Sequence, residues 1–138
     1  MSSPVMIPSV ADMTWNQFHQ RMAFMADLID RAAEAPDSAL HFNSNAPDIE
    51  RLFGSEEGLL LALQQRWMTA LAAKLDQAHY DGVPAELARA ELAAQQPGLR
   101  ALLDAAAARS VRVRALQHRE PRLEELFDGV PFGLQTIA

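Results

Sequence analysis

Placed at about 100° per residue, the apolar side chains between Ser55 and Ala78 fall into two adjacent stripes. Leu60, Leu63, Trp67, Leu71 and Ala78 form one stripe; Leu61, Met68, Ala72 and Leu75 form the other. Together they span roughly twice the ~100° that an ordinary surface helix buries, with Gln64 and Lys74 as the main polar intruders. The pattern predicts a long helix that must be covered from two sides, by the rest of its own domain or by another chain. Leu61, Met68, Ala72 and Leu75 are therefore the candidate interface residues.

The flanking segments are helical in pattern too. Trp15, Phe18, Met22, Met25, Ile29 and Ala32 recur at spacings of three and four, with Phe24 and Leu28 widening the apolar side. Thr14 and Gln17 have the spacing of a capping box at the start of this helix, Met13 and Phe18 that of a hydrophobic staple, and Pro36 ends it. Pro36 to Pro47 has no period and is predicted as a loop pinned by Leu40 and Phe42. A short helix from Asp48 to Phe53 then closes at Gly54, and Ser55 caps the long helix, whose first turn carries Glu56 and Glu57.

Asp81 and Gly82 end the long helix, and Pro84 suits the first turn of the next, through Leu87, Ala88 and Leu92. After Pro97, Leu99, Leu102, Leu103, Ala106, Ser110, Val113 and Leu116 continue a helical face toward Arg119. Ser110 and the β-branched Val111 and Val113 mark a candidate break in it. Pro121 opens a last short helix through Leu123, Leu126 and Phe127 that closes at Gly129. Only Val111 to Leu116 approaches strand length, and its setting favours helix; there is no internal repeat. The expected fold is all-α, an irregular bundle of five to seven helices in a single domain. A flexible arm over 1–13 precedes the helical domain over 14–129, and an uncharged apolar tail over 130–138 follows it.

Composition narrows the setting. A chain of 138 residues can bury a core of its own, and without cysteine it has no disulfide, thiolate nucleophile or thiolate metal site. The start lacks the basic and apolar regions of a signal peptide, and no apolar run nears the ~20 residues needed to span a bilayer. A cytoplasmic protein is expected, with no membrane partner. Eleven Arg against a single Lys, with abundant Ala, match the bias of GC-rich bacterial coding.

The net charge of −6 makes nucleic acid an unlikely partner for the surface as a whole. Charge is uneven, however: residues 109–122 hold five basic side chains and one acidic one. On one continuous helix Arg109, Arg112 and Arg119 would fall within about 80° of each other, a candidate anion-binding face. The plainer account has them complementing a helix C-terminus and pairing with Glu120, Glu124 or Glu125. No aromatic residue interleaves with them for base stacking.

Chemistry is hard to find. The four histidines form no i, i+4 pair, and Asp76 with His79 has no second such element to complete a metal site. Ser55 is explained by capping and does not sit in a nucleophile elbow; the glycines around it are not followed by the Lys-Ser or Lys-Thr of a phosphate loop. Neighbouring carboxylates such as Glu56 and Glu57 point about 100° apart on a helix and cannot share a substrate as an acid and base pair. No catalytic residue, metal site or cofactor is assigned.

The run Leu52, Phe53, Gly54, Ser55, Glu56, Glu57, Gly58, Leu59, Leu60 resembles the junction in TetR-type regulators where the DNA-binding head passes into the first helix of the ligand-binding body. The preceding Leu40 to Ile49 offers neither a helix-turn-helix pair nor a basic recognition helix, so no functional residue is carried over.

The leading expectation is a non-catalytic interaction or adaptor protein that binds a protein partner or itself as a homo-oligomer. Its supports are the two-sided helix, the Met-rich first helix and the apolar tail. The alternative is a regulatory domain with an apolar small-molecule pocket between helices, lined by Trp15, Phe18, Trp67 and Met68.

Overall fold

The computed structural model describes residues 10–35, 38, 40–42 and 45–126, and the side chains from residue 14 onward within these. The expected arm up to residue 9, the closure of the last helix at Gly129 and the tail over 130–138 lie outside the described residues. Within them the chain is helical: α1 (Val10–Glu34), α2 (Ala46–Phe53), α3 (Glu56–Asp81), α4 (Ala85–Gln95), α5 (Pro97–Arg109) and α6 (Val111–Gln117), with residues 120–126 also helical. The fold is all-α.

Helix α3 is the central element, contacting α2, α4, α5 and α6. Its ends are set locally. The Ser55 hydroxyl accepts from the Gly58 amide at 3.0 Å, and Gly82 takes the left-handed conformation (φ 73°) that lets the Val83 amide donate back to the Ala78 carbonyl at 2.8 Å. All five residues of the first predicted stripe, from Leu60 to Ala78, are buried. Leu59, Gln64 and Leu75 widen that buried face, joined by Leu99, Leu102 and Leu103 of α5 and by Val113 of α6.

Two sequence expectations need correction. Helix α1 begins at Val10, so Thr14 lies inside it instead of capping its end, and residues 10–13 belong to the helix and not to an arm. No helix breaker separates Pro8 from Thr14, and a capping box also fits within a helix that continues past it. Secondly, the face between Arg109 and Arg119 is not continuous. The chain leaves the helical region at Ser110 (φ −130°, ψ 119°), whose hydroxyl accepts from the Val113 amide at 3.2 Å and donates to Glu57 at 3.1 Å. Ser110 thus both starts α6 and ties it to the first turn of α3.

Helix α1 packs chiefly on α5, with a smaller contact to α2. The α5 contact is close because of Gly98: a Cβ there would strike the Ile29 carbonyl oxygen of α1. Gly98→Ala is expected to destabilise the protein by about 2 kcal/mol through forced separation of the two helices. An unchanged midpoint of thermal unfolding would show that the helices do not approach this closely.

That contact covers only part of α1. At 1.5 Å per residue the 25 residues of α1 extend about 37 Å, whereas the 13 of α5 extend about 20 Å. Among the described side chains of α1, from Thr14 onward, the buried ones are accordingly Met25, Leu28, Ile29 and Ala32, all in its second half. Trp15 and Phe18, which the apolar period assigns to the same buried face, are 61% and 51% exposed.

Candidate functional site

The unequal lengths of α1 and α5 create the most distinctive surface feature. The first half of α1 runs past the end of its support and leaves an open groove of about 770 Å³ between itself and α3. Phe18, Met22 and Met25 form the α1 wall, and Leu61, Ala62, Ala70 and Ala73 form the α3 side. The Trp15 ring extends the apolar strip beyond Phe18: the two rings stack with centroids 6.2 Å apart, and His19 meets Trp15 edge-on at 4.5 Å. The small residues on α3 leave room because alanine fills little of the space between two helices.

Arg21 and Arg66 provide the charged lining of this groove, and among the described residues none that lines it is acidic. Arg21 lies over the Phe53 ring at 5.1 Å, which holds the guanidinium beside the groove without neutralising it. The Nη1 atom of Arg66 is buried and has no hydrogen-bond partner among the described residues. Gln65 and Thr69 hydrogen-bond each other at 3.4 Å on the same helix.

The sequence-predicted residues are distributed differently from expectation. Of the candidate interface set, Leu75 is buried by the chain itself, Leu61 forms a wall of the groove, and Met68 and Ala72 are half-buried. Of the candidate pocket set, Phe18 lines the groove and Trp15 adjoins it. Trp67 sits wholly within the core under the Arg100 guanidinium, 4.7 Å from its ring, and Met68 packs against that core. The four do not converge. Trp67 and the groove residue Thr69 are about 200° apart around α3, so one helix cannot offer both to the same cavity.

The arginine set is also dispersed. Arg109 ends α5, where its Nη1 donates to Glu56 at 2.7 Å and to the Leu40 carbonyl at 2.9 Å. Arg112 is on α6 and Arg119 follows it, both exposed. The common face assumed for the three depended on a continuous helix, which the break at Ser110 removes.

Glu120 is held instead by arginines the sequence did not pair with it. Its carboxylate is 4% exposed and accepts from Arg89 at 2.8 Å, with Arg100 at 3.6 Å and the Gln64 amide at 3.5 Å. Arg89 reaches Glu124 at 3.2 Å as well. Gln117 donates to the Gln64 side chain at 3.2 Å and to the Leu103 carbonyl at 2.9 Å. The buried Gln64, a polar intruder in the apolar stripe of the sequence, is the anchor of this network. With its carboxylate matched by two guanidinium groups, the cluster fastens residues 120–126 to α3, α4 and α5 and holds no nucleophile or free base.

Among the described residues no group of three His, Asp or Glu side chains is placed to hold a metal ion, and Asp76 and His79 are exposed. No helix among them is long and apolar enough to cross a membrane. No protein-family model, curated protein or solved structure matches the chain.

The groove was only partly visible in the sequence. Leu61 and the methionines of α1 were singled out, whereas Arg66, Ala62, Ala70 and Ala73 were not. One signal was available: in a chain of net charge −6, residues 58–75 contain Arg66 and Lys74 and no carboxylate.

Proposed function

We propose that this protein is a non-catalytic interaction module that receives the apolar face of a partner helix in the groove between α1 and α3. The observation that carries this reading is the open groove running on to the exposed Trp15 and Phe18. Recognition of a helix by an apolar groove needs a long open trough with side chains that adapt to the incoming residues. Met22 and Met25 supply adaptable walls, and the alanines of α3 allow close approach.

A second reading, a small apolar ligand, is favoured by the volume, which lies within the ~300–1,000 Å³ typical of ligand pockets. Openness to solvent favours the helix, since a small ligand would remain largely wet.

Selection of displayed helical peptides on the full chain tests the proposal. Selected sequences are expected to share apolar residues at i, i+3 or i+4, and i+7, and the groove-filling variant Ala70→Trp, verified as folded by circular dichroism, is expected to lose them. If no peptide is enriched while an acyl or aromatic compound stabilises the wild type but not Ala70→Trp, the small-ligand reading replaces the first.

A further inference from the structure

We infer that the helix received by the groove is acidic, with carboxylates flanking its apolar face; this rests on the helix-receiving reading above. Among the described residues the groove is lined by two cationic side chains, Arg21 and Arg66, and by no acidic one, although the whole chain is acidic. Three arginines that line other grooves among the described residues each meet a carboxylate: Arg109 meets Glu56, Arg89 meets Glu120 and Glu124, and Arg100 meets Asp104 and Glu120. Arg21 and Arg66 pair with no carboxylate among the described residues, and Arg66 keeps a buried Nη1 without any acceptor.

A buried guanidinium N–H without an acceptor is costly, and because the Arg66 side chain is only half-buried its guanidinium can turn into the groove to meet an incoming carboxylate. The same charges argue against a second copy of this chain. A two-fold axis through the groove would bring Arg21 and Arg66 of both copies onto one shared surface, with no carboxylate between them among the described lining residues. An apolar helix edged with Glu or Asp meets both the hydrophobic walls and the unmatched charge, whereas an apolar helix edged with Lys meets only the walls.

Two synthetic 18-residue helical peptides with one Leu/Ala apolar face, flanked by Glu in one and by Lys in the other, test this against the full chain by fluorescence anisotropy. The Glu peptide is expected to bind about tenfold more tightly at low ionic strength, the size expected of two partly exposed charge pairs, with the difference shrinking as salt rises. The double variant Arg21→Gln/Arg66→Gln is expected to erase most of that preference while retaining residual binding of both peptides. Ala70→Trp is expected to block both.

Equal binding of the two peptides, blocked by Ala70→Trp, would overturn the acidic partner and leave the helix-receiving groove standing. Binding of neither peptide, or binding indifferent to Ala70→Trp, would overturn both. A dimer in sedimentation equilibrium that Ala70→Trp dissociates would give the groove to a second copy and overturn the acidic partner.

Discussion

Replacing Trp67 with alanine is expected to lower the free energy of unfolding by about 4 kcal/mol, within the range for deleting a buried aromatic side chain. The indole is 0% exposed at the middle of α3, and the Arg100 guanidinium stacks over it at 4.7 Å. Truncation removes its transfer free energy, leaves a cavity that rigid helices on several sides cannot close, and deprives Arg100 of its aromatic platform. Trp67→Phe should cost less than half as much, because it retains a ring and because the indole Nε1 has no hydrogen-bond partner to lose. Urea unfolding at unchanged m-value measures both changes. A loss below about 1 kcal/mol for the alanine variant would mean that the indole is not enclosed.

Glu120→Ala should also be damaging, at about 2 kcal/mol, because removing the buried member of the cluster leaves Arg89 with Glu124 alone and Arg100 with Asp104 alone. Arg100, with its side chain 16% exposed, keeps only Asp104 and cannot turn wholly to water, and the Gln64 amide loses its acceptor. Arg89 is 37% exposed and recovers more of its hydration. A double-mutant cycle separates these effects: Arg89→Ala should cost clearly less in the Glu120→Ala background than in the wild type. Strict additivity would show that the Arg89 and Glu120 contact is not formed in solution. Glu120→Gln, which keeps an acceptor oxygen but no charge, should fall between wild type and Glu120→Ala.

These two positions illustrate how differently buried residues announce themselves. Trp67 was legible from period alone, since it repeats with Leu60, Leu63 and Leu71 on one side of a helix whose ends Ser55 and Gly82 mark by capping chemistry. Glu120 was not, because its partners Arg89, Arg100 and Gln64 come from three other helices, and sequence spacing contains no information about contacts 20 to 56 residues apart. Local reasoning instead offered Glu120 to its neighbours Arg109, Arg112 and Arg119. Gln64 is the instructive failure: a polar residue in an apolar stripe looked like a flaw in the pattern and proved to be a fully buried hydrogen-bonding link.

Helix α1 shows the same division. Its amphipathic period runs from Trp15 to Ala32, yet among its described side chains only those from Met25 onward are buried, because the length of α5 and the close approach at Gly98 decide where coverage stops. Period specifies which side of a helix is apolar; it does not specify whether a neighbour reaches that far. The candidate site is a direct product of this shortfall, and so the sequence pointed to Leu61 as an interface residue and Phe18 as a pocket residue without placing them in one groove. Small side chains such as Ala62, Ala70 and Ala73 become informative only when a second helix stands across from them.

What the sequence by itself determined was the all-α class, the long central helix with its caps, and the candidate helix break at Ser110. Each depends on interactions within a few residues, or on burial that recurs every turn. Tertiary structure alone decided that Leu75 is covered while Leu61 borders a groove, that Trp15 and Phe18 are bare, and that Glu120 belongs to Arg89 and Arg100. Those outcomes depend on the relative lengths, angles and separations of helices distant in sequence, which no local pattern of side chains encodes.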